Sequence, residues 1–179
     1  RPLSGLSRAE ACTLFQNARA RRVGEQPPEP SQSAPPPSQS VPEPVGTRQG
    51  GASENGWLKV VGTQLCHEAG APVVLRGMSS HGVQWYGQFT SAQAISNTAD
   101  YGANLFRVAM YTGEGGYLSR PEAVKETVIA AVDAAIENDL YVIVDWHILS
   151  DGNPMSHADE AAAFFSELAR RYKDTPNVL

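Results

Sequence analysis

The sequence has little of several features that would indicate particular protein classes. It contains only 2 cysteines, Cys12 and Cys66, on opposite sides of a proline-rich segment, so it offers no disulfide framework and no metal-ligand spacing. No run approaches about 18 consecutive apolar residues, which argues against a membrane span. The chain begins at Arg1 without a charged-then-apolar leader, so we expect that the true N-terminus and any signal peptide are missing from this sequence.

The charge balance and the length exclude further classes. The formal net charge is -5, which argues against a nucleic-acid or anionic-membrane partner because phosphate binding needs clustered lysine and arginine. A neutral substrate such as a polysaccharide fits this charge better. A complete eight-stranded α/β barrel usually takes about 250 residues, so the 179 residues are too few for one.

Composition divides the chain into three segments. Residues 1–26 carry one helical signal, with Ser7 and Glu10 spaced as a capping box, and are predicted to be a short helix or the tail of an upstream module without an assigned function. Residues 27–56 are rich in proline, serine and glycine, with eight prolines from Pro27 to Pro44, which predicts an extended linker. A ligand for a proline-binding domain is the less favoured interpretation. Residues 57–179 have a globular pattern.

In the globular segment, strand and helix patterns alternate. Strands are predicted at Pro72–Met78, Asn104–Tyr111 and Leu140–Trp146, with the start of a fourth at 177–179. Helices are predicted at Ser91–Tyr101, from Pro121 and from Ser156. The helix from Pro121 has an apolar stripe of Val124, Val128, Val132, Ala135 and Ile136, and the helix from Ser156 has one of Ala161, Phe165, Leu168 and Tyr172. This alternation predicts a parallel sheet covered by helices. Periodicity cannot separate a barrel from a doubly wound sheet. No glycine-rich phosphate loop follows the first strand to favour a dinucleotide-binding fold, so the barrel is modestly preferred.

Polar and aromatic side chains concentrate where the predicted strands end. Ligand groups of parallel α/β folds gather at the carboxyl ends of the strands. Side chains along a strand alternate between its two faces. If the faces that carry them all point inward, four side chains converge: His81, Arg107, Tyr111 and His147. Arg107 interrupts an apolar strand, and a buried arginine is costly unless it is paired, so it needs a carboxylate partner.

Other polar residues have simpler interpretations. His67 and His157 are predicted to be structural, Asp145 is favoured as a satisfied structural carboxylate, and Glu114 and Asp151 are predicted to be solvated in loops. The sequence contains no nucleophilic serine or cysteine elbow and no pair of strand-end glutamates. A retaining glycosidase needs two carboxyl groups about 5 Å apart, and this chain does not visibly supply them.

Four motifs together resemble the N-terminal half of a family 5 glycoside hydrolase, specifically an endo-β-1,4-glucanase of the bacterial cellulase type. They are VVLRGMSSHGVQWYGQF, NLFRVAMYTGEGGYL, LYVIVDWHILSDGNP and FFSELARRYKDTPNVL. The resemblance covers residues 57–179, with the motifs in order and at family-like spacing. It implies a (β/α)₈ TIM barrel truncated to about its first three βα units and the start of strand four. It also implies hydrolysis of internal β-1,4-glucosidic bonds with retention of configuration.

The resemblance also carries site assignments. It implies that His81, Trp85, Tyr86, Tyr111 and His147 bind glucose units on the non-reducing side of the cleaved bond, and that Arg107 supports the nucleophile. It places both catalytic glutamates beyond Leu179, so this chain is expected to be inactive by itself, and it implies no cofactor.

Two alternatives stay open. One is a sibling enzyme acting on mannan, xylan or mixed-linkage β-glucan, and the other is a non-catalytic carbohydrate-binding half-barrel. The implied partners are a β-1,4-glucan or cello-oligosaccharide and a linked carbohydrate-binding module, and secretion is implied as well.

Overall fold

The computed structural model of the chain describes residues 50–179. The predicted N-terminal helix in residues 1–26, Cys12 and most of the predicted linker lie outside the described residues. Cys66 lies within them and is buried. In the described part of the chain, no helix is both long and apolar enough to cross a membrane.

Strands and helices alternate through this part of the chain. The strands are β1 (Lys59–Val61), β2 (Gln64–Cys66), β3 (Gly77–Ser79), β4 (Leu105–Tyr111) and β5 (Tyr141–His147). The α-helices are α1 (Ala52–Asn55), α2 (Val83–Tyr86), α3 (Ala92–Asp100), α4 (Pro121–Glu137) and α5 (Ala158–Tyr172), with short 3₁₀ helices at Gly87–Thr90 and Pro154–His157. The alternation predicted from hydrophobic periodicity is therefore confirmed from β3 onward.

The central sheet is parallel, in the order β3, β4, β5. Arg107 of β4 lies in register with Ser79 of β3 and with Ile143 of β5. Val178 forms a parallel bridge with Val142, so the chain resumes extended structure next to β5, as predicted for residues 177–179. Helices connect successive parallel strands, which is the arrangement of an α/β fold.

Helix α4 supplies much of the core beneath the sheet. Its stripe of Val124, Val128 and Val132 is almost completely buried, because residues four apart lie on one face of a helix. Pro121 occupies the first turn, where a missing backbone N–H costs nothing. The stripe packs with the side of the sheet that carries Phe106, so the opposite side remains for polar groups.

Helix α5 buries a different phenylalanine from the one predicted. Phe164, Leu168 and Tyr172 are buried, whereas Phe165 is 40% exposed. Phe164 is spaced four residues from Leu168 and eight from Tyr172, while Phe165 is turned about 100° from that line. The prediction of Phe165 as a core residue is therefore wrong.

The first parallel strand starts later than predicted. The prediction of a strand through Val74 is wrong, because β3 begins only at Gly77. The side chain of Asn104, which is completely buried, accepts a hydrogen bond from the Arg76 N–H at 2.7 Å and donates one to the Val74 carbonyl at 3.1 Å. A side chain thus satisfies backbone groups that strand pairing would otherwise satisfy.

Residues 50–56, which the composition assigns to the linker, include a short helix. Ala52 is buried, and Ser53 donates its backbone N–H and its hydroxyl to the two carboxylate oxygens of Asp139, at 2.7 and 2.8 Å. Asp139 lies in the connection between α4 and β5. These bonds attach α1 to the α/β unit, a long-range contact that composition does not reveal.

Candidate functional site

The carboxyl ends of the three parallel strands form one edge of the sheet. The loops that follow continue the strand pairing. Ser80 donates its N–H to the Arg107 carbonyl, the Ser80 hydroxyl accepts the Ala109 N–H at 2.9 Å, and Thr112 donates its N–H to the His147 carbonyl. The backbone that carries the side chains at this edge is therefore held in place by hydrogen bonds, which restricts its motion.

Five side chains at this edge form a connected aromatic cluster, composed of His81, Trp85, Tyr86, Tyr111 and His147. The His81 ring lies 5.5 Å from Trp85, 5.2 Å from Tyr86 and 5.8 Å from Tyr111, to which it is parallel. Tyr111 also lies 5.0 Å from Trp85 and 4.2 Å from His147. Trp85 and Tyr86 are 41% and 45% exposed, so the cluster is open to a ligand.

Glycine at position 82 permits the close packing of these rings. A Cβ at Gly82 would lie 2.8 Å from the Trp85 ring and 2.9 Å from the Tyr111 ring, which is closer than carbon atoms normally approach. Gly82 is a site residue that the sequence-based predictions missed. Its signal was a glycine directly after His81 and three residues before the Trp85–Tyr86 pair, where the absence of a side chain leaves room for the rings.

A polar network crosses the three strands beside the aromatic cluster. Arg107 donates to the Ser79 hydroxyl at 2.6 Å and to the Asp145 carboxylate at 2.5 Å. Asp145 also lies 2.9 Å from Nδ1 of His147. The predicted need of Arg107 for a carboxylate partner is confirmed, and Asp145 is that partner.

The loops after β4 and β5 meet at the rim of this edge. The Thr112 hydroxyl donates to the half-buried Asp151 carboxylate at 2.5 Å, and the Ser150 hydroxyl donates to Glu114. Glu114 is exposed, as predicted. The prediction that Asp151 is simply solvated is wrong, because its carboxylate accepts the hydroxyl of a completely buried threonine.

The other two histidines of the described chain lie apart from the aromatic cluster. Nδ1 of His67 accepts the Ala69 N–H within the turn after β2, at 3.0 Å. His157 lies 3.9 Å from Glu160 at the start of α5. Among residues 50–179, no group of three or more histidine, cysteine, aspartate or glutamate side chains is placed to hold a metal ion.

A cavity of about 200 Å³ lies between β3 and α3 and reaches the aromatic cluster at His81. Its walls combine apolar groups from Met78, Phe89 and Phe106 with the hydroxyl-bearing Ser79 and Ser80. The edge as a whole therefore joins exposed ring faces to hydrogen-bonding groups. Such a surface suits a neutral ligand that has apolar faces and polar edges.

Comparison with known proteins identifies relatives of the chain. The sequence model of the cellulase family (glycosyl hydrolase family 5) matches residues 66–179. An endoglucanase of Clostridium saccharobutylicum is 48% identical over 128 residues, which are 71% of this chain and 29% of the relative. Endoglucanase A of Evansella cellulosilytica is 53% identical over 111 residues, 62% of this chain and 22% of the relative.

Solved structures give the same result. The catalytic domain of a Thermobifida fusca endoglucanase superposes with a TM-score of 0.69 at 42% identity, over 72% of this chain and 42% of that domain. A variant of that domain, solved in complex with cellotetraose, matches equally well. This chain spans less than a third of the two curated relatives and about two fifths of these structures. Because the family model covers more than half of the chain, the chain belongs to the cellulase family, glycosyl hydrolase family 5, a family of glycoside hydrolases.

Proposed function

We propose that this chain is part of an endo-β-1,4-glucanase that hydrolyses internal bonds of cellulose with retention of configuration. The endoglucanase relatives at 48% and 53% identity support this activity.

We further propose that β3, β4 and β5 are the first three strands of a (β/α)₈ barrel, with strand four beginning at Val178. The parallel order of the three strands and the parallel bridge from Val142 to Val178 support this proposal.

The aromatic cluster is proposed to bind glucose units on the non-reducing side of the cleaved bond. The observation that carries this proposal is that all five side chains lie in one connected group at the carboxyl edge of the sheet. Sugar rings have apolar faces and hydroxyl edges, so the exposed Trp85 ring would stack on a glucose face. The two imidazoles would hydrogen-bond to hydroxyl groups.

Arg107 is proposed to support the carboxylate nucleophile. Its guanidinium is oriented by Ser79 and Asp145 and its side chain is one third exposed. Oδ2 of Asp145 accepts from Arg107 and also lies 2.9 Å from Nδ1 of His147, so we do not assign Asp145 as one of the catalytic carboxyl groups. Retaining hydrolysis requires two carboxyl groups, so we expect the 179-residue chain to bind glucan without cleaving it.

Two further properties are proposed by analogy with these relatives. The whole protein would be secreted, because its polymeric substrate lies outside the cell. The proline-rich residues 27–56 would join the catalytic domain to a carbohydrate-binding module, since such a composition is typical of a semi-rigid spacer.

Binding measurements on the 179-residue chain test the proposed function. Calorimetric titration should show binding of cellotetraose and weaker binding of mannotetraose and xylotetraose. Preference for mannan or xylan oligosaccharides would favour the sibling enzymes instead. Release of reducing sugar from cellulose by the purified chain would contradict the expected inactivity.

The non-catalytic alternative needs a separate test, because it predicts the same binding by this chain. The gene product purified from its source organism should hydrolyse carboxymethylcellulose with retention, which NMR detects from the anomer formed first. Binding without hydrolysis by that protein would favour a carbohydrate-binding half-barrel.

A further inference from the structure

Asp145 and His147 lie two residues apart on the same face of β5. Their side chains meet, with the Asp145 Oδ2 2.9 Å from Nδ1 of His147. A carboxylate can only accept a hydrogen bond, whereas each nitrogen of a neutral imidazole is either a donor or an acceptor. A contact of this length is favourable only if Nδ1 carries the hydrogen, because two acceptors at 2.9 Å would repel each other.

Arg107 offers a competing arrangement. Its Nη2 lies 3.3 Å from Nδ1 of His147 and would donate to it if Nδ1 were unprotonated. In that arrangement the unprotonated nitrogen and the Asp145 carboxylate would repel each other, because both are hydrogen-bond acceptors. Nη2 instead has a much closer acceptor in Asp145 Oδ2, at 2.5 Å, so both Arg107 and His147 donate to the same oxygen.

A series of hydrogen bonds holds the carboxylate in this position. Ser79 of β3 accepts from Arg107 of β4, and Arg107 donates to Asp145 of β5. The His147 ring also lies 4.2 Å from the Tyr111 ring, which limits rotation of the imidazole. Side-chain exposure of only 24% at Asp145 and 32% at His147 reduces competition from water.

We propose that Asp145 is a positioning residue that fixes the Nδ1–H tautomer of the His147 imidazole. Nε2 of His147 is then a hydrogen-bond acceptor, and the sugar group that it recognises is a hydroxyl acting as a donor. This recognition step rests on the proposed function, whereas the tautomer does not. In this arrangement Asp145 acts through His147 and does not itself touch the sugar.

Nitrogen NMR tests the tautomer directly. The full chain is labelled with ¹⁵N at histidine, and the His147 signals are assigned with His147→Gln. We expect a single Nδ1–H tautomer of His147, and a shift to a mixture dominated by Nε2–H in Asp145→Ala. The near-isosteric Asp145→Asn, whose amide oxygen still accepts a hydrogen bond, should retain most of the original tautomer. Asp174→Asn, at an exposed carboxylate, removes the same charge and should change nothing.

Two results would overturn the assignment. One is an Nε2–H tautomer in the unaltered chain, and the other is an unchanged tautomer in a folded Asp145→Ala chain. If both Asp145 variants fail to fold, the tautomer of the unaltered chain still decides the matter.

Binding of cellotetraose tests the recognition step. Asp145→Ala should weaken binding about tenfold, the effect of about one lost hydrogen bond, and should add little to the loss caused by His147→Ala. Full additivity of the two losses would overturn the role of Asp145 as a positioning residue. A chain with the expected tautomer but without cellotetraose binding would contradict the proposed function and leave the tautomer assignment intact.

Discussion

Tyr111 and His147 lie directly opposite each other at the last paired position of β4 and β5, with ring centroids 4.2 Å apart. The parallel register sets this distance, because neighbouring strands lie about 4.8 Å apart and side chains at paired positions point to the same face. The pair joins two parts of the site. Tyr111 contacts the rings of His81 and Trp85, which follow β3 in the chain, and His147 contacts the polar network of Arg107 and Asp145.

Replacing Trp85 with alanine should weaken cellotetraose binding at least tenfold. The exposed indole offers a large apolar face to a sugar ring, and its loss removes a contact of about 1.5 kcal/mol or more. Calorimetric titration measures the change. Tyr101→Ala, at an aromatic side chain that is 91% exposed at the end of α3, is the matched control and should bind normally. Equal affinities of the two variants would contradict a role of Trp85 in binding.

Gly82→Ala should lower the free energy of unfolding by about 1–3 kcal/mol, the usual cost of overpacking. The added methyl group would press on the Trp85 and Tyr111 rings, so tryptophan fluorescence should change as well. The backbone angles of Gly82, φ -53 and ψ 122, suit alanine, so any loss must come from the contacts.

Gly87→Ala is the control for this prediction. A Cβ at Gly87 meets nothing within 4 Å, and a substitution of this kind usually stabilises slightly by restricting the unfolded chain. Urea titrations of both variants provide the comparison. A Gly82→Ala chain as stable as Gly87→Ala would show that the rings move apart without cost.

Asn104→Ala should destabilise the chain by about 2 kcal/mol or more. The change removes the partners of the Arg76 N–H and the Val74 carbonyl, and each unsatisfied group costs about 1–3 kcal/mol where water cannot replace the bond. Hydrogen exchange at β3 should accelerate along with the loss measured in urea. Asn97→Ala, at an exposed position of α3, should be neutral, and a similar loss there would indicate a general effect on the helices.

Alkaline pH should weaken the contact between α4 and α5. Burial, with a further contribution from the hydrogen bond to Asp133, raises the pKa of Tyr172 to about 12. A raised pKa means that the folded state holds the proton more tightly. The stabilisation is therefore complete below the ordinary tyrosine pKa of about 10 and is lost as the pH rises toward 12.

Comparison with Tyr172→Phe isolates this effect from other groups that titrate in the same range. At pH 9 the phenylalanine variant should be less stable by about 1 kcal/mol, because it lacks the hydrogen bond to Asp133. Between pH 10 and 12 the unaltered chain should lose about 2 kcal/mol more than the variant. If the free energies of unfolding of the two chains, measured in urea, changed equally with pH across this range, the raised pKa of Tyr172 would be contradicted.

Local periodicity predicted much of the fold. The buried stripe of α4 follows from a spacing of four residues, which depends only on helix geometry. The predicted strands, which are mainly apolar runs, match β4 and β5 to within one residue at each end. The predicted start of the first strand failed because apolar residues such as Val74 also occur in segments whose backbone is bonded by a side chain, here that of Asn104. Phe164 and Phe165 could not be distinguished because adjacent aromatic residues satisfy the same helical pattern almost equally well.

The sequence by itself determined which side chains reach the carboxyl edge of the sheet, including His81, Arg107 and Tyr111, because strand ends and alternation are local properties of the chain. Only the tertiary structure decided which distant groups pair. Arg107 meets Asp145 across 38 positions on the face that carries the site, and Asn104 meets Arg76 across 28 at the amino end of β3 and β4. Hydrogen bonds between such distant residues depend on strand register, which no short stretch of sequence contains.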